Sequence, residues 1–441
     1  MKNKFIIRSE ELLSRIKNNE ITVGILGLGY VGLPLAVTFA LKKTKILGFE
    51  KNSEKVASVN SAKNYISDIE DDDLKNAVKN GFLEATEDFS RILECDAVLI
   101  CVPTPLDKYK KPNMTYIESA CIEIGHYMKS GTFICLESTT YPTTTEEFIL
   151  PIIERESGMK VEEDFWLAFS PERVDPGNKE YKTGNTPKVI GAVSKEGLAV
   201  GLALYGIAIE NLYPVSSPRT AEMVKILENT YRLVNISLIN EIALLSTRMD
   251  IDIWEVIKAA KTKPYGFQAF YPGPGIGGHC IPLDPFYLEH IAKGFNFDLT
   301  MINIAGQINN QMSHKMLVKI NFALNKHKKP VNGSKILFLG VAYKPDISDD
   351  RESPALLIMD EVAHKGGLVS YHDPYIPSVI TEEGREFHSI DLTDKLLSSM
   401  DCVVISTRHS KFNFENIAEK SVLIVDLQNA YPSKSDKIFK L

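Results

Sequence analysis

Short runs of apolar, β-branched residues alternate with longer stretches of helical periodicity through the first half of the chain. Each run ends at glycine, proline or polar residues, as buried strands do. Strands that alternate with helices in this way form a parallel sheet with helices on both faces. The predicted strands are ITVGILGLG, KILGFE, DAVLICVPTP, TFICLEST, DFWLAFSPE and KVIGAV.

The middle of the chain has a different pattern. Residues 220–248 contain no glycine or proline, which predicts one helix of roughly 40 Å at about 1.5 Å per residue. A second long helix is predicted near residues 298–327. Because helices of this length bridge domains or form dimers, we expect a central helical, dimerisation domain at residues 213–328.

After a turn-rich linker, KKPVNGS, the alternation of strands and helices resumes. The stretches VGILGLGYVG and ILFLGVAYKP each end the first strand of their half, which indicates a loose internal repeat. The expected fold is therefore α/β, with two doubly wound Rossmann-like domains at residues 1–212 and 329–441. The long central helix joins them, and a ligand is expected between them.

Composition narrows the class of protein. The 441 residues are 44% hydrophobic and 24% charged, which is ordinary for a soluble protein of more than one domain. The net charge of −7 argues against nucleic acid or an anionic membrane as the main partner. No segment is apolar for the ~18 residues that a membrane span requires. The first 20 residues mix acidic and basic side chains too early for a signal peptide, which favours a cytoplasmic location.

Six cysteines in this length do not form a disulfide scaffold. Without CxxC or HExxH pairs, no zinc or other metal site is predicted. Five cysteines lie among apolar residues and are predicted to be buried, unreactive thiols: Cys95, Cys101, Cys121, Cys135 and Cys402.

The sequence GLGYVG places Gly27, Gly29 and Gly32 in a GxGxxG pattern between a predicted strand and a predicted helix. In a dinucleotide site these glycines allow a tight turn, close approach of a pyrophosphate and close helix–strand packing. Glu50 ends the next strand, where an acid bonds the ribose hydroxyls of NAD and repels the phosphate of NADP. Lys51 beside it works against that preference, and a glycine turn without cofactor is the alternative.

Cys280 follows a loop of glycines and prolines, PGPGIGGHC, that does not suit a core position. A nucleophilic thiol needs polar surroundings, which the backbone N–H groups of Gly275, Gly277 and Gly278 would supply. A thiol that captures an aldehyde, beside a dinucleotide, permits oxidation through a thioester. His279 is a weak candidate for the base, because adjacent side chains often point apart.

Further polar residues follow predicted strands or share a helical face. Lys225 and Asn229 are four residues apart on the long helix and would stabilise an oxyanion or hold a water. The alternative for this pair is a solvated helix face. Glu172 in SPERVDP and Thr139 in ESTTYP come after strands, where α/β proteins place reactive groups.

Seven motifs, in order along nearly the whole chain, resemble the UDP-glucose/GDP-mannose dehydrogenase family. They are GLGYVGLPLA, CVPTPL, ESTTYP, FSPER, KILEN, GGHCIPLD and GVAYKPDISDDRESP. The resemblance implies an NAD-dependent, four-electron oxidation of a nucleotide-sugar C6 alcohol to a carboxylate. It also implies a homodimer formed by the central helices, a UDP-sugar substrate bound by the C-terminal domain, and a role in polysaccharide biosynthesis.

By this resemblance Cys280 is the nucleophile, Asp284 is its partner, and Lys225, Asn229, Thr139 and Glu172 complete the catalytic set. The implied NAD-binding residues are Gly27, Gly29, Tyr30, Val31, Gly32, Glu50, Pro103, Thr104, Thr139 and Arg351. The implied substrate-binding residues are Glu172, Arg173, Lys225, Asn229, Tyr271, Gly277 and Lys344. Gln428 stands where relatives are expected to have an arginine, and Pro176 falls near the place of a further family acid.

The motifs GGHCIPLD and ESTTYP resemble the branch that oxidises UDP-N-acetylhexosamines, although Thr143 stands where that branch often has glycine. UDP-N-acetylglucosamine is the favoured substrate, with UDP-N-acetylmannosamine and UDP-glucose as alternatives. A two-electron hydroxyacid dehydrogenase and a non-catalytic NAD-binding module are the other functions considered. Neither of them needs Cys280.

Overall fold

The computed structural model describes residues 2–66, 68–105, 112–175, 177–178, 180–278 and 281–441, with side chains from residue 6 onward. Cys280, His279 and Pro176 lie outside the described residues. The chain divides into two compact units, residues 1–228 with 286–297 and residues 229–285 with 298–441. Each unit has its own hydrophobic core.

The first unit is built on an eight-stranded sheet in the order β3-β2-β1-β4-β5-β6-β7-β8. Neighbouring strands run parallel except at one place, where β6 and β7 are antiparallel. The expectation of a parallel sheet is wrong for this pair, because the described part of residues 170–187 contains no helix that would cross the chain back. The strands are β1 Thr22–Leu26, β2 Lys45–Phe49, β3 Leu83–Thr86, β4 Ala97–Ile100, β5 Phe133–Leu136, β6 Trp166–Phe169, β7 Lys188–Ala192 and β8 Leu212–Val215.

Helices cover both faces of this sheet, and successive residues of a strand enter different cores. Val23 and Ile25 of β1 pack in one core and Leu26 in the other. This two-sided burial explains the continuous apolar runs that mark the strands in the sequence. The helices are α1 Lys2–Lys17, α2 Gly32–Leu41, α3 Ser53–Asn60, α4 Asp71–Lys79, α5 Thr115–Tyr127, α6 Leu150–Ser157, α7 Lys195–Tyr205 and the first turns of α8 Pro218–Arg248. Shorter turns are the 3₁₀ helix Phe89–Glu94 and the π-helix Thr144–Ile149.

The second unit contains a five-stranded parallel sheet in the order β10-β9-β13-β14-β15 and a separate hairpin, β11-β12. Its core is formed by apolar residues of the sheet, α11 and α12. The helices are the rest of α8, α9 Ile253–Ala260, α10 Asp284–Ala292 (which continues into the first unit), α11 Thr300–Lys326, α12 Pro354–His364, α13 Asp394–Ser399 and α14 Phe414–Lys420. The 3₁₀ helix Lys293–Phe295 follows α10. The strands are β9 Lys335–Leu339, β10 Leu368–His372, β11 Ser378–Ile380, β12 Glu386–His388, β13 Cys402–Ile405, β14 Ile424–Asp426 and β15 Ile438–Lys440.

The predicted long helices are confirmed as α8 and α11, and the predicted second doubly wound sheet is confirmed by β9, β10, β13 and β14. The prediction missed the edge strands β3, β8 and β15 and the hairpin. These segments are only three or four residues long and partly exposed, so none of them forms an apolar run long enough to predict a buried strand.

The five cysteines that were predicted to be inert are all buried, and burial raises the pKa of each thiol. Within the described ranges, every helix is too short or too polar to cross a lipid bilayer. The same ranges hold no cluster of three His, Cys, Asp or Glu side chains suited to a metal ion.

Candidate active site

The three glycines between β1 and α2 have different physical roles. Gly27 has φ +93°, and a Cβ there would lie 2.7 Å from the carbonyl oxygen of Cys101. A Cβ on Gly32 would lie 1.9 Å from the carbonyl oxygen of Gly27, so only glycine fits the start of α2. A Cβ on Gly29 would meet nothing within 4 Å, which leaves open space where a pyrophosphate can approach the helix N-terminus. Tyr30 and Val31 complete this turn, and the arrangement fits a dinucleotide.

Glu50 lies beside the glycine turn, one position after β2. Its carboxylate accepts hydrogen bonds from the backbone N–H groups of Leu28, at 3.2 Å, and Asn52, at 3.1 Å. The ammonium of Lys51 donates instead to the hydroxyl of Ser119 on α5, at 2.8 Å. An acidic acceptor with its basic neighbour bonded elsewhere suits the ribose hydroxyls of NAD better than a ribose phosphate.

The loops after β4 and β5 are joined by side-chain hydrogen bonds. The Ser138 hydroxyl donates to the carbonyl of Val102, and the Thr104 hydroxyl donates to the carbonyl of Thr139, each at 2.7 Å. The strand order reverses between β1 and β4, and ligands of doubly wound folds bind at such a reversal. Pro103, Thr104 and Thr139 are therefore brought to the same edge as the glycine turn. The Tyr287 hydroxyl donates to the carbonyl of Thr104, a contact that the sequence analysis missed.

The first turns of α8 pack on the loop that follows β6. The Lys225 ammonium donates to the carbonyl of Glu172 at 2.6 Å, and only 7% of Lys225 is exposed. One turn further along α8, the Glu228 carboxylate accepts from the Arg173 guanidinium at 2.6 and 3.3 Å. The Glu172 carboxylate accepts from the N–H groups of Arg173 and Val174, at 2.8 and 2.6 Å. The alternative of a solvated Lys225 is therefore wrong.

A buried ion pair lies next to this loop. The Lys188 ammonium is 2.6 Å from a Glu137 carboxylate oxygen and 3.3 Å from the carbonyl of Pro171, and the Tyr205 hydroxyl donates to Glu137. Burial opposes charge on both partners and raises the pKa of Glu137, whereas the nearby carboxylates raise the pKa of Lys188. The Lys188 nitrogen and the Tyr205 hydroxyl both face the Glu137 carboxyl group, an arrangement that favours the ionised pair. The sequence did not predict this pair, although a charged residue in each of two apolar runs, TFICLEST and KVIGAV, was a visible signal.

In the second unit, the amide of Asn229 donates to the Asp284 carboxylate at 2.5 Å, and both side chains are buried. Asn229 is therefore also not a solvated helix residue. Asp284 is the first residue of α10, so the helix start fixes its backbone. Asn229 and Asp284, the two residues of the predicted catalytic set that the structure describes in this unit, are therefore in direct contact.

The glycine loop before Cys280 packs against a loop of the second sheet. A Cβ on Gly277 would lie 2.6 Å from Tyr343 Cβ and 2.7 Å from the carbonyl oxygen of Glu352. The N–H of Gly278, where φ is +81°, donates to the carbonyl of Arg351 at 3.0 Å. The expectation that Gly278 offers its N–H to the cysteine is therefore wrong, because that group is already bonded. Close packing accounts for these glycines.

The remaining predicted residues of the second unit lie near this loop or on the second sheet. The Arg351 guanidinium is held by the Asp349 carboxylate at 2.6 to 3.1 Å. Lys344 follows Tyr343 in the loop after β9. The half-exposed ring of Tyr271 stacks on Trp254, with ring centroids 5.9 Å apart. Gln428 donates its amide to the carbonyl of Ser406 at 2.9 Å, so a neutral group occupies the position expected for arginine.

The fold and the glycine turn place the chain in the class of dinucleotide-binding α/β oxidoreductases. Three domain models of the UDP-glucose/GDP-mannose dehydrogenase family match it, the NAD binding domain at residues 21–209, the central domain at 219–311 and the UDP binding domain at 337–433. The chain belongs to this family. It is an NAD-dependent nucleotide-sugar dehydrogenase, which excludes the non-catalytic module and the hydroxyacid dehydrogenase.

Relatives with different substrates are similar to this chain. A UDP-N-acetyl-D-glucosamine 6-dehydrogenase of Pseudomonas aeruginosa is 32% identical over 93% of this chain and 97% of its own length. A UDP-N-acetyl-D-mannosamine dehydrogenase of Pyrococcus horikoshii is 34% identical over 92% of this chain and 95% of its own. The solved structure of a UDP-D-ManNAc dehydrogenase from Pyrococcus horikoshii has a TM-score of 0.86 at 32% identity, covering 95% of this chain and 99% of that one.

Replacement of Glu50 tests the preference for NAD. We expect the wild-type kcat/KM to be about a hundredfold higher with NAD than with NADP, because the carboxylate repels the extra phosphate. Glu50→Gln should reduce this ratio at least about tenfold. Glu54→Gln, an exposed acid on the adjacent helix α3, is the control and should keep the ratio. Equal kcat/KM for the two cofactors in the wild type would contradict the assignment.

Proposed function

We propose that this chain oxidises the C6 alcohol of a UDP-N-acetylhexosamine to the uronic acid, and that UDP-N-acetylglucosamine is its preferred substrate. The observation that carries the reaction class is the match of all three family domains. The buried and bonded side chains of Lys225 and Asn229 agree with it. UDP-N-acetylglucosamine is supported by the motifs GGHCIPLD and ESTTYP and by the Pseudomonas relative. The similarity to UDP-N-acetylmannosamine dehydrogenases supports that epimer as the second candidate.

The proposed chemistry uses a cysteine thiolate as the nucleophile. NAD, when bound, accepts one hydride in each of two oxidations. In the first, the alcohol becomes an aldehyde, and the Cys280 thiolate adds to its carbonyl carbon. The adduct then loses a second hydride to become a thioester, which water cleaves to the carboxylate and the free thiol. In sum, one alcohol, one water and two NAD⁺ give one carboxylate, two NADH and three protons.

We propose that Lys225 and Asn229 stabilise the oxygen that becomes negative when sulfur or water adds to C6. An ammonium and an amide on a rigid helix favour this charged state over the neutral aldehyde or thioester, which lowers the barriers. In this proposal Asp284 supports the cysteine and orients the Asn229 amide, which donates to it. Glu172 and Thr139 complete the catalytic set.

The proposed ligand contacts follow the family motifs. Arg173, Tyr271, Gly277 and Lys344 join the catalytic residues in binding the UDP-sugar. Gly27, Gly29, Tyr30, Val31, Gly32, Glu50, Pro103, Thr104, Thr139 and Arg351 bind NAD. The Arg173 guanidinium already forms an ion pair with Glu228. We therefore expect Arg173 to help position the sugar as much as to supply a positive charge.

A panel of UDP-sugars tests the reaction and the substrate together. We expect two NADH per sugar consumed, and a higher kcat/KM for UDP-N-acetylglucosamine than for UDP-N-acetylmannosamine or UDP-glucose. NADH absorbance gives the rate, and mass spectrometry of the product gives the oxidation state. One NADH per sugar would refute the four-electron reaction. A higher kcat/KM for another sugar would retain the reaction and refute the proposed substrate.

Replacement of Cys280 tests the covalent route. Cys280→Ala should abolish uronic acid formation, whereas Cys402→Ala, at a buried thiol of the second sheet, should retain it. Near wild-type production of the acid by Cys280→Ala would show that the thiol is not the nucleophile.

Replacement of Lys225 tests the stabilisation of the oxyanion. In rapid-mixing experiments Lys225→Met should either form the thioester more slowly or accumulate it, with a rate loss of roughly a hundredfold or more.

We propose that residues 213–328 form the dimerising domain, between an NAD-binding domain at 1–212 and a UDP-binding domain at 329–441. In the second unit, α8 exposes apolar side chains at helical spacing, Leu238, Ile242 and Leu245. Next to them is a groove of about 270 Å³ lined by Leu244, Leu245, Ile308 and polar residues. A second copy of the chain would cover this apolar face.

Light scattering tests the dimer. The wild type should have about twice the chain mass of 49.3 kDa. Leu238→Glu with Leu245→Glu should give monomers, because two buried charges would oppose association. Val422→Glu, at an equally exposed apolar residue elsewhere in the second unit, is the control and should remain dimeric. A monomeric wild type would refute the proposed dimer.

We also propose a cytoplasmic location, as the first 20 residues favour, and cell fractionation would check it.

A further inference from the structure

Glu222 is a buried acid on α8 that the proposed chemistry does not use. It is 0% exposed, and it lies three residues before Lys225 on the same helix. One carboxylate oxygen accepts from the N–H of Thr143 at 2.7 Å. The other accepts from the N–H of Thr145 at 2.8 Å and from its hydroxyl at 2.7 Å. Both oxygens therefore act as acceptors, toward three uncharged donors.

The loop that Glu222 holds is strained at one residue. Thr143 has φ +85° and ψ −10°, a left-handed conformation that β-branched residues rarely adopt. Such a conformation persists only where surrounding contacts enforce it. The hydrogen bond from the Thr143 N–H to Glu222 is a contact of this kind. Glu222 thus holds the backbone at the strained residue of this loop.

The same loop carries a residue of the proposed catalytic and NAD-binding sets. The Thr139 carbonyl accepts from Thr104, and the hydroxyls of Thr140 and Thr144 are 2.8 Å apart. The Thr144 hydroxyl also donates to the carbonyl of Tyr141 at 2.8 Å. The loop is therefore cross-linked within itself, and Glu222 bonds it to α8 at Thr143 and Thr145, next to the ion pair of Arg219 with Glu146. One turn later, Lys225 bonds the carbonyl of Glu172.

We propose that Glu222 is a positioning residue, which aligns the Thr139 loop with Lys225 on α8 and does so fully only as a carboxylate. This proposal rests on the proposed oxidation of a UDP-sugar by the same site. A carboxylate makes charge-assisted hydrogen bonds, which are roughly twice as strong as neutral ones. If Glu222 is protonated, its O–H must donate to the Thr145 hydroxyl, which reverses that bond. The protonated oxygen is then a poorer acceptor for the N–H of Thr145.

The surroundings of Glu222 permit this change near neutral pH. Burial, and to a lesser extent the charge of Glu146, raise its pKa to about 7, while the three hydrogen bonds act in the opposite direction. Other groups near it are Arg219, which bonds Glu146 at 2.7 Å, and the Tyr141 hydroxyl. The loop should therefore be held more firmly as pH rises from about 6 to about 8.

The variant Glu222→Gln has the same shape without the charge. Its NH₂ group must face either the Thr143 N–H or the Thr145 N–H, so donor meets donor. We expect kcat/KM for the UDP-sugar to fall about tenfold at pH ~8, where the wild type is ionised. At pH ~6 the loss should be only about twofold, because the wild type is then mostly protonated. A loss that does not depend on pH would indicate a merely structural role and overturn the proposal.

Two further variants shift the pH at which Glu222 ionises. Thr145→Val removes the hydroxyl donor and keeps the N–H, so the rise of kcat/KM with pH should move to higher pH. Glu146→Gln removes a neighbouring negative charge, so the rise should move to lower pH without loss of rate at pH ~8. Unchanged profiles in both variants would overturn the proposal, even if Glu222→Gln does not fold.

Thermal unfolding without substrate separates this proposal from the proposed function. Since the pKa of Glu222 is raised in the folded state, the folded chain holds a proton that the unfolded chain releases at pH between ~4.5 and ~7. The wild type should therefore lose stability relative to Glu222→Gln as pH rises through this range, and then level off. A constant difference in Tm refutes the role of Glu222. A wild type that oxidises no UDP-sugar refutes the function instead.

Discussion

The burial of charge at the carboxyl edge of the first sheet is the constraint on which the candidate site residues of the first unit depend. Glu137, Lys188, Glu222 and Lys225 are all removed from water, and each is compensated by a nearby partner. Breaking a buried pair leaves an uncompensated charge, which typically costs ~3–5 kcal/mol. The backbone of the loops after β5 and β6 therefore has little freedom to move, because its carbonyl and N–H groups are these partners. Two of the proposed catalytic side chains, Thr139 and Glu172, are presented from loops held in this way.

A common geometry underlies the contacts of α8 with those loops. Glu222, Lys225 and Glu228 are spaced by three residues, so they share one face of the helix. They bond, in turn, the loop at Thr143–Thr145, the carbonyl of Glu172 and the guanidinium of Arg173. A helix is stiffer than a loop, so the fixed distances between residues on α8 also fix the positions of the loop segments bonded to them. This arrangement explains how residues far apart in sequence can be kept in register for chemistry.

The fold does not by itself separate the sugar epimers. UDP-N-acetylglucosamine and UDP-N-acetylmannosamine differ in the configuration of one carbon, and relatives named for each resemble this chain to a similar degree. Discrimination at a single group is usually worth ~1–3 kcal/mol unless a buried polar group is left unpaired. Differences of that size come from one or two side-chain positions. They leave the packing of two α/β sheets unchanged.

The sequence by itself determined the parts of this protein that depend on local pattern. Apolar runs identified the central strands, the absence of glycine and proline identified α8, and GLGYVG with Glu50 identified the dinucleotide turn. It failed at the edge strands and at the direction of β7, since pairing direction depends on where the chain returns. The motifs also predicted Cys280 as the nucleophile, and that assignment stays a prediction.

Only the tertiary structure decided which polar residues are buried together. The sequence permitted Lys225 and Asn229 to be either solvated or functional, because helical spacing identifies a shared face and does not identify what covers it. The partners that bury these two side chains, the Glu172 carbonyl and Asp284, are 53 and 55 residues away in the chain. In the same way, Gly277 is required by the close approach of Tyr343, and the partners of Glu222 are Thr143 and Thr145, far from it in the chain. Contacts between residues so distant in sequence leave no local pattern, so only the folded chain reveals them.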